Sequence, residues 1–295
     1  MTLQFSLGGG FEKRVIASNR DEFLARSTEN AKWHSFGKEK EKEENNVISG
    51  LDLIGGGTWL GYTKRLNRFG FLTNLSNITP PMQKKSKWIS REEYLQEIKD
   101  NSALDLMDGY NLVIGEIQKN GEEVIMDSFC NRQTHHNEIQ INSNFYQKSR
   151  VEEYKENGIS NGIKSDEEEN EWIKVKLGKD LLTKRMIKES EESNQEKLIE
   201  DLFDILSQTD PNDEALPKNI LIRPHHRLNE PSDIPNRQTW YGTKTQTLVL
   251  VSRNKKVTFI ERDAYAIIDS MDHLGLPVWL GDDRKSWRRF EFDIA

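Results

Sequence analysis

The chain has 295 residues, 31% of them charged and 35% hydrophobic, with a formal net charge of −7. An acidic surface of that kind repels phosphate backbones, which makes nucleic acid a poor partner but leaves room for a local basic pocket. A single cysteine, Cys130, excludes an intramolecular disulfide and a CxxC metal site, and no apolar run approaches the ~20 residues that span a bilayer.

The N-terminus lacks the basic start and apolar core of a secretory signal, and no mitochondrial presequence is visible in the first residues. The expectation is a soluble protein of a reducing compartment, with one domain over residues 1–295 and charged insertions near 38–46 and 165–171. Residues 3–7 alternate apolar and polar, Gly8-Gly9-Gly10 supplies a turn, and 13–18 run back as a second strand. A turn centred near Gly9 or Gly10 places Thr2 opposite residues 17–18. The polar run Asn19-Arg20-Asp21-Glu22 then reads as a cluster at a strand end, beyond the chain's first hydroxyl. Further strand signals fall at 53–61, 69–75, 111–117 and 122–128, and helical patterns at 90–99, 172–187 and 194–208. Late strands at 246–252 and 256–261 flank the hairpin turn Arg253-Asn254-Lys255, and a last one covers 287–293. Strands at both ends with helices between them indicate an α+β layer architecture.

Four segments carry amides or hydroxyls at expected strand ends: Asn19-Arg20-Asp21-Glu22, Leu72-Thr73-Asn74, Gly158-Ile159-Ser160-Asn161 and Tyr241-Gly242-Thr243-Lys244-Thr245. Singly, each is ordinary turn chemistry. Gly55-Gly56-Gly57-Thr58-Trp59-Leu60-Gly61 lacks the GxGxxG spacing of a nucleotide loop. Its glycines suit positive φ or close backbone approach, with Trp59 packed behind. His34, His135, His136, His225, His226 and His273 have no metal-site spacing, so no metal site is expected. Cys130 reads as a small core or loop residue.

Taken in order, Asn19-Arg20-Asp21-Glu22, Trp33, Ser49-Gly50-Leu51-Asp52, Gly56-Gly57-Thr58-Trp59-Leu60-Gly61, Leu72-Thr73-Asn74, Tyr110-Asn111-Leu112, Gly158-Ile159-Ser160-Asn161 and Tyr241-Gly242-Thr243 resemble the NRDE family, also called the transport and Golgi organization protein 2 family. The resemblance runs over nearly the whole chain. It implies the four-layer αββα fold of N-terminal-nucleophile hydrolases. Those enzymes use the first side chain after processing as nucleophile and its α-amine as base. The family usually has Cys at position 2; this chain has Thr2, a hydroxyl that depends more on a nearby base than a thiol does.

The resemblance implies two functional readings. In the first, the chain handles an intracellular ligand: it mobilises haem, binds acyl-coenzyme A in lipid homeostasis, and supports Golgi organization and secretion. Asn19, Arg20, Asp21, Glu22, Trp59 and Lys244 would form the ligand site, with haem or acyl-coenzyme A as bound ligand and no required cofactor. The expected place is the cytoplasm, with mitochondrial or Golgi association and transient membrane contact. In the alternative, an amidohydrolase or acyltransferase uses Thr2 as nucleophile, Arg20 and Asp21 as orienting groups, and Asn74 or Asn161 as oxyanion donor. The bland alternative for Arg20-Asp21 is a buried ion pair without chemistry.

Overall fold

The computed structural model describes residues 2–6, 13–35, 46–74, 110–117, 124–130, 132–135, 138–141, 146–151, 156–160, 172–189, 194–210, 218–227, 240–252, 254–268 and 275–294. The charged stretches 38–45 and 165–171, the helical pattern 90–99 and the turn glycines 8–10 lie outside these residues, as do Asn161, His136 and His273. The chain divides into two compact units: residues 1–27, 153–160 and 171–292, and residues 28–152, 161–170 and 293–295.

The first unit is built on a seven-stranded antiparallel sheet. Its strands are β1 (Thr2–Ser6), β2 (Lys13–Phe23), β12 (Glu156–Ile159), β13 (His225–His226), β14 (Trp240–Ser252), β15 (Lys256–Asp263) and β18 (Trp287–Asp293). The order is β12-β1-β2-β14-β15-β18, with β13 pairing the start of β14. Two helices cover one face, α1 (Ile173–Glu189) and α2 (Gln195–Leu206). The Asn194 side chain caps α2 by accepting from the Lys197 amide. Apolar residues of α2 recur at helical spacing, so Leu198, Ile199, Leu202, Phe203, Ile205 and Leu206 all turn inward. They meet Val15, Ala17, Leu248, Leu250 and Ile260, the alternate residues of β2, β14 and β15, together with Leu182 and Met186 of α1. The intervening residues Ile16, Val249, Val257 and Phe259 are also buried, so the central strands are shielded on both faces. That is why 248–251 (Leu-Val-Leu-Val) reads as a continuous apolar run rather than an alternating one. A short hairpin of β16 (Tyr265–Ile267) and β17 (Pro277–Trp279) completes this unit.

The second unit holds another seven-stranded sheet, antiparallel throughout. Its strands are β3 (Thr28–His34), β4 (Val47–Asp52), β5 (Leu60–Thr63), β6 (Arg68–Asn74), β7 (Tyr110–Ile117), β8 (Val124–Cys130) and β11 (Tyr146–Val151), in the order β11-β8-β7-β6-β5-β4-β3. A separate pair joins β9 (Arg132–His135) to β10 (Glu138–Ile141). The Phe69 ring lies over Gly115 of the neighbouring strand, where a Cβ would sit 2.0 Å from it.

The expected four-layer αββα sandwich, and with it the α+β class, is overturned. The described residues are mainly strand in antiparallel sheets, and the two α-helices among them both pack with one sheet. Helix signals at 172–187 and 194–208 were legible, but where helices pack depends on contacts distant in sequence. Two local expectations also shift. The span 53–61 is a turn followed by the short β5: Asp52 accepts the Ile54 and Gly55 amides on Oδ1, and Gly56 adopts φ +69°. The run Asn19 to Glu22 is not a strand end, because β2 continues to Phe23 along β14.

Candidate ligand site around the Asn-Arg-Asp-Glu strand

Thr2 pairs with Asn19, and Leu3 with Ser18, a shift of one or two positions from the register expected of the glycine turn. The β1 ladder therefore ends beside Asn19. Residues 20–23 keep β14 on one side, and Ile159 pairs with Leu3 on the far side of β1. Because the run lies within a strand, its four side chains alternate between the two faces.

Asn19 faces the helices and is fully buried. Its Nδ2 donates to the Leu206 carbonyl at 2.8 Å and the Ile220 carbonyl at 2.9 Å, and its Oδ1 accepts from Gln246 Nε2 at 3.0 Å. Leu206 ends α2, so Asn19 satisfies a carbonyl that has no partner inside the helix. Gln246 Oε1 in turn accepts from Arg262 Nε at 2.7 Å, and Arg262 donates to the Gly281 carbonyl and the Ser207 hydroxyl. The Arg262 guanidinium stacks 4.0 Å above the Phe203 ring. Burial pushes its pKa down to about 10, so it remains charged at neutral pH.

Asp21 shares that face. Its Oδ1 accepts from the Thr243 hydroxyl at 2.7 Å, and the same hydroxyl accepts from the Ile222 amide at 2.9 Å. Its Oδ2 lies 4.0 Å from Nζ of Lys174 on α1, a lysine only 2% exposed. Burial lowers the Lys174 pKa, and the carboxylate of Asp21 opposes that shift. Lys174 went unnoticed in the sequence. The only local signal is a lysine between Ile173 and Val175 in the first turn of α1.

Arg20 points to the other face, 5% exposed, with Nη2 4.0 Å from Glu22 Oε2. Glu22 lies 3.6 Å from Arg26 and accepts the Phe23 amide. The structure thus separates Arg20 from Asp21, which the ion-pair reading had joined: Asp21 serves the helix-covered face and Arg20 the opposite one. A β-bulge at Lys244 lets β14 serve both. Thr243 pairs with Asp21 and Thr245 with Arg20, leaving Lys244 as the extra residue. Its ammonium donates to the Leu24 carbonyl at 3.0 Å and to the Arg26 carbonyl, holding the turn that follows β2. Gly242 fits closely here, since a Cβ would lie 3.1 Å from the Ile222 oxygen and the Pro224 backbone.

Of the other sequence candidates, Trp59 and Asn74 belong to the second unit. Trp59 is buried and its carbonyl accepts the Leu72 amide, whereas Asn74 is exposed at the end of β6, paired with Tyr110. His34 is buried with Nε2 2.7 Å from the Ser49 hydroxyl. His225 and His226 pack on Tyr241 and Trp240. Among the described residues no group of His, Cys, Asp or Glu is placed to hold a metal, and no helix is long and apolar enough to cross a membrane.

A family model for Transport and Golgi organisation 2 matches residues 12–266. The chain belongs to that family. Its relatives include a Transport and Golgi organization 2 homolog of Mus musculus, 26% identical over 270 residues, covering 84% of this chain and 85% of the mouse protein. The corresponding homolog of Bos taurus is 28% identical, covering 84% and 85%. An uncharacterized protein of Saccharomyces cerevisiae is 25% identical over 304 residues, covering 85% and 88%. The family match spans the strand from Asn19 to Glu22 and its partner β14.

Proposed function

We propose that this family member is an intracellular ligand-handling protein whose ligand is apolar over most of its surface and anionic at one end. Haem is the first candidate and acyl-coenzyme A the second, with a role in haem trafficking, lipid homeostasis and Golgi organization. The reading places the chain in the cytoplasm with mitochondrial or Golgi association. The observation supporting it is Arg20: a buried guanidinium in an acidic chain, set on the sheet face away from the helices, with Glu22 at 4.0 Å. A bidentate, permanently charged fork in such a place suits a propionate or a phosphate. The relatives' names, which speak of transport and Golgi organization, agree with a carrier role.

Titrating purified protein with haemin and with palmitoyl-coenzyme A checks this. Saturable binding is expected, weakened about tenfold or more in Arg20→Gln. Absence of binding by both ligands sinks the carrier reading. A second reading keeps Thr2 as nucleophile of an amidohydrolase or acyltransferase. The register that sets Thr2 across from Asn19, two residues from Asp21, favours it. N-terminal mass spectrometry tests it: a retained Met1 or an acetylated Thr2 excludes a free α-amine and with it that mechanism.

A further inference from the structure

Helix α1 is rotated against the pattern of a helix that meets only water outside. Two of its cations face inward and are buried: Lys174 beside Asp21, and Arg185 with Nε 2.6 Å from Asp201 of α2. Val175, Leu182 and Met186 are buried with them. Those contacts fix which side of the helix turns out. Ile173 and Leu177, four residues apart and so on one face, are left 54% and 39% exposed. Leu181, a further turn along, is half-buried. The outward side of a surface helix ordinarily carries polar side chains, and here it starts with an aliphatic stripe.

The flanks of that stripe are basic. Lys176 and Lys184 are exposed and Lys179 is half-exposed, against Asp180 as the one exposed acid of α1 among the described residues. That is a local excess of positive charge in a chain of net charge −7. Aliphatic side chains edged by lysines compose a helix that lies in the plane of an anionic bilayer, since lysine stems cover apolar surface while their ammonium groups reach the headgroups. Helix α1 is not long and apolar enough to cross a membrane, so its contact is with the surface.

We infer that the outer face of α1 docks on an anionic bilayer, with Ile173 and Leu177 entering the acyl boundary and Lys176 and Lys184 meeting the headgroups. The inference deepens the carrier reading, on which its purpose rests: haem and long acyl chains partition into bilayers, and a carrier meets one to load or release them.

Co-sedimentation of the full chain with vesicles tests it, using phosphatidylcholine alone and phosphatidylcholine with phosphatidylserine. Wild type should bind the phosphatidylserine vesicles about tenfold or more better. Ile173→Ser/Leu177→Ser should lose about tenfold of that binding, and Lys176→Glu/Lys184→Glu should lose the preference for phosphatidylserine. Melting temperatures should hold in both variants, because the altered side chains are exposed. Lys255→Glu/Lys256→Glu makes the same charge change in the exposed turn between β14 and β15 and should bind as wild type does. Equal binding to both vesicles, no binding, or unchanged binding in the two α1 variants overturns the inference. An equal loss in the Lys255/Lys256 variant overturns it too, since net charge alone would then explain the binding. Self-association that Ile173→Ser/Leu177→Ser abolishes, with no vesicle binding, would assign the face to a second copy of the chain instead. Haemin and palmitoyl-coenzyme A titrated in free solution should bind the α1 variants as they bind wild type. If wild type binds neither, the carrier reading fails while the vesicle result still decides the docking face.

Discussion

Asn19 and Gln246 face one another across β2 and β14, the Gln246 amide donating to Asn19 Oδ1 at 3.0 Å while Asn19 itself donates to the carbonyls of Leu206 and Ile220. One asparagine thereby ties two strands, the end of α2 and the segment after it. The first residue of the Asn-Arg-Asp-Glu run is a structural fastener.

Asn19→Ala should accordingly destabilise the chain by about 3 kcal/mol, since it leaves two buried carbonyls and one buried amide unmatched. Urea denaturation measures this. An unchanged midpoint with lost ligand affinity would instead make Asn19 a ligand contact.

Asp21 and Lys174 form a buried pair, so removing one partner strands the other. Asp21→Asn should cost on the order of 3 kcal/mol, and adding Lys174→Met should recover much of it. Equal effects of Asp21→Asn in both backgrounds would show that the two residues are not coupled.

Gly242 and Gly56 offer a contrast between crowding and backbone strain. Gly242→Ala presses a methyl against the Ile222 oxygen and Pro224 backbone, for a loss of roughly 1–3 kcal/mol. Gly56→Ala meets no neighbour and should lose only about 1 kcal/mol, from its φ of +69°. Melting temperatures of the two variants rank them, and a neutral Gly242→Ala would remove close backbone approach as the reason for that glycine.

Burial lowers the pKa of His34, Lys32 adds to the lowering, and Glu29 opposes it. The folded state therefore prefers neutral His34. The stability this contributes is complete above the unfolded value near 6.5 and is lost as pH falls through the lower folded value. Between about pH 7.5 and 5, His34→Gln should lose less stability than wild type. Parallel stability curves over that range would contradict the assignment.

Much of the β framework was legible locally. The apolar runs at 246–252 and 256–261, the turn between them and the alternation at 111–117 all form strands, because period and turn chemistry are short-range properties. Helices α1 and α2 fall within two residues of their expected bounds. The extension of β2 through Asn19 to Phe23 was not legible. A polar run joins a strand there only because β14, more than two hundred residues away, supplies its hydrogen bonds.

By itself the sequence determined the family, through the ordered Asn-Arg-Asp-Glu, Gly-Gly-Thr-Trp-Leu-Gly and Leu-Thr-Asn segments, and it marked residues 19–22 as the segment to watch. Tertiary structure alone decided what each of those residues does. Pairing with β14 and the bulge at Lys244 send Asn19 and Asp21 to the helix-covered face, as anchors for α2 and partner to Lys174, and turn Arg20 to the other face beside Ser18 and Thr245. Which face a strand residue serves follows from registers set by distant partners, and no local pattern encodes them.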